Sequence, residues 1–543
     1  MILPPLSTIH PQGTDDVDQA VSRSLHLTKI AGTALVVFLI AGGSWLSYQH
    51  LNTGSKEKAF VESRHRSYGT GEIHDELRIA PRYNAEAANT FYSFRQFIDT
   101  VLYHPGWGYY TSGEATIPGS FLTYPYLLSP YFGRMVAEHA MRMRQHMVKA
   151  GALGPDEQFT VLEMGGGEGP LAQDFLDYVL AKANTNKSWR DFQRHLRYIG
   201  VDISPAMIDR QKRRLADPKY QPLFQAVVGD VREPVTLGGL STLKGLALAN
   251  ELIDTFGSHK VLLSATEAPE GAFVLPLISN DFWQRLKTGQ APVDEKLVED
   301  IRHADQTLRK RFGLSTVERD LYLSRDVFER LMDFQRHPHP DVGRGNSEYD
   351  LLKHLRFREV YLPVDLIPEL AETLHLETHE IRRALPQRDG VIIYEQAGVK
   401  DLMSGLGAIL EEGYVLFVDY GYAAAEMIEQ ARNGVWLLRT FPGKEHDPYR
   451  RLTLLDVTFD IDWTAVAEYG RLAGFEEDYF GPQGALADNT PFLPSLPDAA
   501  GKRFLDDRIN FRALLMHKGG HTSTYHLTDR PPIALRNTAS TPQ

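Results

Sequence analysis

The sequence predicts an α/β fold built on a parallel, doubly wound sheet. Four apolar segments are typical of buried strands that end in polar residues or glycine: FTVLEMGGG, RYIGVDIS, FQAVVGD and GLALANEL. Helical segments alternate with these strands, which is the pattern of a parallel sheet covered on both faces. A fifth strand, GYVLFVDYG, follows much later in the chain.

Composition excludes several classes of site. The 543 residues are enough for two or three domains or one elaborated domain. With 58 basic and 70 acidic residues the net charge is −12, which argues against broad nucleic-acid binding. Because the chain has no cysteine, thiolate zinc sites, iron–sulfur clusters and cysteine nucleophiles are excluded. No metal site is predicted.

Residues 30–49 predict a single transmembrane helix. They carry no charge, and about 20 helical residues rise roughly 30 Å, the hydrocarbon thickness of a bilayer. A cleaved signal peptide is the alternative, although no small-x-small site closes the apolar run. Basic residues cluster just after this segment, so the positive-inside rule predicts a membrane protein whose C-terminal part is cytoplasmic.

Polar residues stand where the predicted strands end. Ligands of doubly wound sheets bind at the carboxyl ends of the strands. A helix cap or a solvated loop is the alternative for any one acid, but several together indicate a ligand site. The residues at these positions are Glu163, Asp202, Asp230, Asn250 and Glu251.

The loop after the first strand has glycine at 165, 167 and 169. This Gly-x-Gly-x-Gly pattern differs from the Gly-x-Gly-x-x-Gly of dinucleotide sites. Glycine permits positive φ and close approach of a ligand to the backbone, and Glu163 can accept hydrogen bonds from an ammonium group. These properties match S-adenosylmethionine, with an ordinary tight turn as the alternative. Asp202 would then bind the ribose hydroxyls and Asp230 the adenine amino group.

With these residues in place, the chain resembles the MidA-like family of class I S-adenosylmethionine-dependent methyltransferases. This family includes the mitochondrial protein-arginine methyltransferase that assists assembly of respiratory complex I. The resemblance covers about residues 90–517 and follows the family's order. The matching segments are FRQFIDTVLYHPGWGYY, GSFLTYPYLLSPYFG, LEMGGGEGPLAQDFL, YIGVDISPAMIDRQKRRL, ALANELIDTFGSHKV, GYVLFVDYG, DVTFDIDWTAVAEYGRLAGF and FRALLMHKG.

The resemblance implies a Rossmann-like class I fold and a set of site residues. Cofactor binding is implied for Glu163, Gly165, Gly167, Gly169 and Asp202, with Ser204, Asp230 and Asn250 completing the predicted set. Asn250, Glu251 and Asp254 match the family's Asn-Glu-x-x-Asp motif.

Six positions depart from the family pattern. Ser120 and Tyr126 replace two acids, Tyr124 replaces serine, Gly166 and Glu168 replace proline and arginine, and Asp202 replaces glutamate. An arginine acceptor is permanently charged. Loss of two nearby acids therefore indicates either weaker arginine binding or another substrate.

Glu251 and Asp254 are the predicted catalytic pair. Three residues apart on one helical face, they would hold a cationic acceptor nitrogen between them, with Glu251 orienting it. The alternative is a helix start capped by Asn250. A protein arginine is the acceptor that the resemblance implies. A small-molecule methyltransferase and a non-catalytic, cofactor-binding assembly factor for a membrane complex are the other possibilities.

The remaining segments complete the predicted organisation. Residues 1–29 and 519–543 are predicted to be flexible tails, 50–88 a linker, and 89–150 a helical, aromatic-rich segment that forms either core or a wall over the site. The α/β core comprises 151–259 and 408–518. Residues 260–407 are predicted to be a mainly helical insertion that acts as an acceptor lid. DVTFDIDW predicts a strand with solvated acids at Asp456, Asp460 and Asp462.

Overall fold

The computed structural model describes residues 63–67, 73–113, 115, 122–233, 242–264, 267–290, 294–336, 351–373, 390–441, 446–450 and 452–535. The chain divides into two compact units, 1–60 and 61–543, and every described residue belongs to the second. The predicted tail 1–29 and transmembrane segment 30–49 lie outside the described residues. Of the helices in the described ranges, none combines the length and apolar character that a bilayer span requires.

Eighteen strands occur in the described residues. They are β1 (Ser63–Ser67), β2 (Ile73–Leu77), β3 (Tyr92–Ser93), β4 (Phe159–Met164), β5 (Leu196–Asp202), β6 (Phe224–Val228), β7 (Leu243–Asn250), β8 (His259–Leu263), β9 (Glu270–Ile278), β10 (Leu321–Tyr322), β11 (Leu355–Pro363), β12 (Val391–Glu395), β13 (Leu410–Tyr422), β14 (Leu438–Phe441), β15 (Asp456–Phe459), β16 (Ile461–Asp462), β17 (Glu476–Pro482) and β18 (Phe511–Lys518).

Fifteen α-helices accompany these strands in the same ranges. They are α1 (Asn84–Thr90), α2 (Phe94–Tyr103), α3 (Tyr124–Leu127), α4 (Tyr131–Ala150), α5 (Pro170–Thr185), α6 (Lys187–His195), α7 (Pro205–Arg214), α8 (Asn280–Lys287), α9 (Glu295–Phe312), α10 (Arg325–Arg336), α11 (Pro368–Thr373), α12 (Gly398–Ile409), α13 (Ala424–Arg432), α14 (Trp463–Leu472) and α15 (Asp498–Phe504).

The first sheet carries the predicted strands. Its order is β6-β5-β4-β7-β13-β18-β17, and β16 pairs with the end of β13. Strands β4 to β7 and β13 are parallel, whereas β18 is antiparallel to both of its neighbours. The predicted α/β fold is thus confirmed, and each of the five parallel strands overlaps the segment that predicted it.

This sheet is buried on both faces. All six residues of β4 are buried, as expected for the centre of a parallel sheet. Because side chains alternate along a strand, Val161 packs into one core with α4 and α5, and Leu162 packs into another with α12 and α14. The strand ends, rather than the faces, are left for a ligand.

The predicted helical insertion 260–407 is wrong in its secondary structure. Helices α8 to α12 do occur there, but most of β8 and all of β9 to β12 occur there too. They belong to a second sheet of order β1-β2-β11-β9-β8-β12, in which β3 and β10 also pair with β9. The charged stretch around α9 dominates the sequence pattern, and β11 mixes the charged residues Arg356, Arg358 and Glu359 with its apolar ones.

The predicted linker and C-terminal tail are also wrong where they are described. Strands β1 and β2 lie within 50–88, and β2 pairs with β11. Residues 519–535 pack on the domain, with Tyr525 and Leu527 in the core beside α4. These two apolar residues stand in a polar stretch without periodicity, so the sequence pattern does not reveal their burial.

Leu527→Ala tests whether the C-terminal segment is part of the fold. Leu527 is 1% exposed, so we expect a loss of about 2–5 kcal/mol in the free energy of unfolding, as for other buried leucines. Ile533 is 41% exposed, and Ile533→Ala should change it by about 0.5 kcal/mol or less. Urea denaturation measures both; equal, small effects would contradict the packed segment.

Candidate active site

A pocket opens at the carboxyl ends of β4, β5, β6 and β7. It contains about 980 Å³ of empty space, including its open mouth. Its predicted wall residues are Glu163, Gly165, Gly167, Asp202, Asp230, Asn250 and Glu251.

The glycine loop joins β4 to α5 in a conformation that favours glycine. Gly165, Gly167 and Gly169 have φ of 69°, 53° and 81°, in the left-handed region that side chains disfavour. A Cβ on Gly165 would lie 2.7 Å from Cδ1 of Leu252. Gly169 is the N-cap of α5 rather than a wall residue. The loop therefore presents bare backbone to the pocket, as predicted.

Asp202 fastens this loop to the end of β5. Its Oδ2 accepts from the Gly167 amide at 3.0 Å, and its Oδ1 accepts from the Ser204 amide at 2.9 Å. Burial raises the pKa of Asp202 to about 6, and the two amide hydrogen bonds oppose that shift. Ser204 is buried and caps α7 through the Met207 amide, so it supports the site from behind the wall.

Glu163 is a buried acid on the pocket wall. It is 5% exposed and accepts from the hydroxyl of Tyr198 at 2.9 Å. Burial, together with the charge of Asp202, raises the pKa of Glu163 to about 8. A cationic ligand group beside it would favour the ionised form.

Asp230 has a partner that the sequence analysis missed. Arg232 donates from Nε to Oδ1 at 3.0 Å and from Nη2 to Oδ2 at 2.8 Å, and it also pairs with Asp99. The guanidinium lies over the rings of Tyr103 and Phe256. Arg232 follows Asp230 by two residues and itself lines the pocket. Binding of an adenine amino group by Asp230 stays a prediction.

Asn250 and Glu251 follow β7 on the pocket wall. Oε1 of Glu251 accepts from the Tyr124 amide at 3.1 Å and from Nδ2 of Asn250 at 3.2 Å. Glu251 has φ of 50°, which is rare outside glycine, and burial raises its pKa to about 8. Oδ1 of Asn250 is buried without a hydrogen-bond partner among the described residues.

Asp254 does not join Glu251 on the wall. It lies in a 3-10 turn, is 4% exposed, and accepts from the hydroxyl of Tyr420 at 2.7 Å. Asp419 accepts from the backbone amides of 252, 253 and 254, and burial raises the pKa of both acids. Glu251 precedes this turn and has a left-handed φ of 50°, so residues 251 and 254 do not lie on one helix.

The acids of DVTFDIDW are buried, so their predicted solvation is wrong. Asp456, Asp460 and Asp462 are 2%, 0% and 4% exposed. Asp460 pairs with Arg439 at 2.7 Å, and Asp462 caps α14. Each carboxylate has an internal partner, which permits burial. Within the described ranges, no group of acids and histidines is arranged to hold a metal ion.

The aromatic segment divides between wall and core. Tyr103, Tyr110 and Tyr126 line the pocket, whereas Phe94 and Trp107 are fully buried elsewhere. Both predicted roles are therefore present, and spacing along the chain does not separate them.

Two of the departures from the family pattern lie in one cluster. Glu168 of the glycine loop pairs with Arg210 at 3.2 Å, and the hydroxyl of Tyr126 donates to Glu168 at 3.5 Å. Arg210 also donates to the carbonyls of Gly113 and Ala115. Ser120 lies outside the described residues. The cluster ties the glycine loop to the aromatic segment.

The fold and the pocket define an α/β protein with a ligand pocket at the ends of its parallel strands. The family model described as "Putative S-adenosyl-L-methionine-dependent methyltransferase" matches residues 135–481. The chain belongs to this family, and its cofactor is S-adenosylmethionine. None of the curated proteins matches the sequence.

Solved structures show more distant similarity. A Burkholderia thailandensis protein bound to S-adenosyl-homocysteine is 17% identical, over 81% of this chain and 91% of that one, with a TM-score of 0.49. A native crystal structure of a protein from the same organism is 18% identical to this chain. The match covers 83% of this chain and 93% of that one, and the TM-score is also 0.49. Geranyl diphosphate C-methyltransferase from Streptomyces coelicolor is 10% identical. The match covers 70% of this chain and 80% of that one, with a TM-score of 0.25. At these TM-scores the family assignment rests on the family model alone.

The residues present fit the cofactor. The left-handed glycines leave room for a ligand against the backbone, and the buried Oδ1 of Asn250 would accept from a ligand amino group. Asp202 would hold the ribose hydroxyls and Glu163 the cationic end. These three side chains, Glu163, Asp202 and Asn250, all lie on the wall of one pocket.

Cofactor affinity should rise with pH. At pH 6 Glu163, with its pKa of about 8, is mostly protonated, and binding of the sulfonium cofactor must then release a proton. The dissociation constant should fall by up to about tenfold per pH unit until pH 8. Calorimetry between pH 6 and 9 measures this dependence.

Glu163→Gln separates this effect from other titrations. Glutamine can still accept from Tyr198 but cannot ionise, so the slope should be shallower in the variant. Asp202 and Glu251 titrate in both proteins. Equal slopes would assign the effect to another acid.

Proposed function

We propose that this protein transfers the methyl group of S-adenosylmethionine to a nitrogen of a protein side chain, with the guanidinium of arginine as the acceptor. The acceptor is supported by the resemblance to the MidA-like family and by the Asn-Glu-x-x-Asp motif at 250–254. The observation that carries the proposal is the position of Glu251. Its carboxylate lines the cofactor pocket while only Oε1 is engaged by described residues.

Methyl transfer is mainly a problem of position. When bound, the cofactor supplies a methyl group already activated by its sulfonium. The protein must align the acceptor lone pair with that methyl group and place charge around it. Glu251 would accept an N–H of the acceptor through Oε2, while hydrogen bonds from the Tyr124 amide and Asn250 to Oε1 hold the carboxylate in place.

Membrane anchoring by residues 30–49, with the domain in the cytoplasm, is the second part of the proposal. Its support is the uncharged segment and the basic residues that follow it. Alkaline carbonate extraction should leave the full chain in the membrane pellet and release a variant that lacks 30–49. Protease added to intact cells should leave the domain undigested. Release of the full chain, or digestion, would contradict this topology.

Transfer of labelled methyl groups tests the reaction. Purified protein is incubated with methyl-labelled cofactor and a membrane extract, and the label is located. The proposal expects label on a protein, recovered as methylarginine after hydrolysis. Label on a small molecule would favour a different acceptor class, and no label on any acceptor would favour the non-catalytic assembly factor.

Glu251→Gln tests the orienting role in the same assay. We expect kcat to fall by about 10²-fold or more, while calorimetry gives an unchanged dissociation constant for the cofactor, because the carboxylate acts on the acceptor. Glu426→Gln, an exposed change on α13, is the matched control. Unchanged turnover in the Glu251 variant would remove the assignment.

A further inference from the structure

A tyrosine links the pocket to a buried carboxylate. Tyr110 lines the pocket, and its hydroxyl donates to Oδ1 of Asp456 at 2.7 Å. Asp456 begins β15 and is 2% exposed. Because the phenol proton is committed to Asp456, the oxygen keeps a lone pair that can accept a hydrogen bond from a ligand.

The surroundings hold this link in place. The ring of Tyr103 stacks on that of Tyr110 with centroids 5.6 Å apart, and the Tyr103 hydroxyl bonds Thr255 instead of Asp456. Tyr109 meets Tyr110 edge-on at 4.9 Å. The two neighbouring rings therefore pack against Tyr110, and the Tyr103 hydroxyl does not compete with Tyr110 for Asp456.

The charged groups around the pair set its protonation. Burial, and after it the carboxylate of Asp254, raises the pKa of Asp456 to about 7, and the bond from Tyr110 opposes this. The guanidinium of Arg232 lies over the ring of Tyr103, and the charges of Arg232 and Asp99 act on the Tyr103 hydroxyl. A carboxylate that titrates near neutral pH can take up a proton and release it again.

We infer that Tyr110 and Asp456 form a relay that removes the proton of the methyl acceptor. The inference rests on the proposed function and names the general base of that reaction. Glu251 is left to orient the acceptor, and Asp254, which does not line the pocket, acts on the relay through its charge on Asp456.

Removal of the acceptor proton accompanies methyl transfer. The acceptor nitrogen uses its lone pair to form the N–C bond, and the C–S bond breaks with its electron pair remaining on sulfur. The acceptor N–H proton passes to Oη of Tyr110 while the phenol proton passes to Oδ1 of Asp456. Tyr110 ends unchanged, and Asp456 carries one proton, which it later releases to water.

Infrared spectroscopy tests the relay without any acceptor. The spectra are recorded on the full chain with S-adenosylhomocysteine added. As the pH rises, the carboxylic acid band of the wild type should lose the component of Asp456, with a midpoint near pH 7. Asp456→Asn should lack that component. Tyr110→Phe should move its midpoint to higher pH, because the donated hydrogen bond favours the carboxylate. If Asp456→Asn removes no titrating component, the relay is overturned.

Kinetics supply the second arm, with the labelled cofactor and membrane extract described above. Wild-type kcat should rise with pH and level off above about pH 7. Tyr110→Phe and Asp456→Asn should each lower kcat by about 10²-fold and abolish that inflection, with cofactor affinity and thermal stability measured alongside. Tyr220→Phe is the matched control, because Tyr220 donates to Asp177 at 2.8 Å outside the pocket wall.

The outcomes separate the two proposals. If wild type labels a protein and both variants retain its rate and pH profile, the relay fails and the proposed function stands. If wild type labels no acceptor, the proposed function fails and the relay with it. Loss of the inflection in both variants, with cofactor affinity unchanged, supports the relay.

Discussion

The geometry of the pocket depends on how the glycine loop is fastened to the end of β5. The amides of Gly165 and Gly166 both donate to the carbonyl of Val201, and the Gly167 amide donates to Asp202. Gln211 of α7 completes the attachment by donating to the carbonyl of Gly167. The neighbouring strand and helix, rather than the ligand, therefore set the shape of the loop, which lowers the ordering cost of binding.

A layer of buried acids lies beside this loop and is stabilised by specific partners. Tyrosine hydroxyls donate hydrogen bonds to Glu163, Asp254 and Asp456, while backbone amides donate to Asp202 and Asp419. Burial favours the neutral forms, and several of these groups consequently titrate close to neutral pH. A sulfonium ligand supplies positive charge to such a layer without a metal ion or a surplus of basic residues.

The sequence predicts the parts of the site that depend on local pattern. Strand ends and a triple-glycine loop are contiguous signals, so Glu163, Gly165, Asp202, Asn250 and Glu251 are all found on the wall. Burial of Asp456 depends on Tyr110, which is distant in sequence, and alternation along a strand does not distinguish solvent from a polar interior. Part of the second sheet escapes prediction for the same reason, because β11 pairs with β9 and β12 with β8 across long intervals.

The order of the strands also bears on how the chain folds during synthesis. Strand β7 ends at Asn250, yet its parallel neighbour β13 begins at Leu410, with the whole of β9 to β12 between them. One edge of β7 must stay unpaired while that interval leaves the ribosome. Such late pairing slows folding and leaves an exposed strand edge that can pair incorrectly or aggregate. Binding of a chaperone to the growing chain would therefore be of particular value.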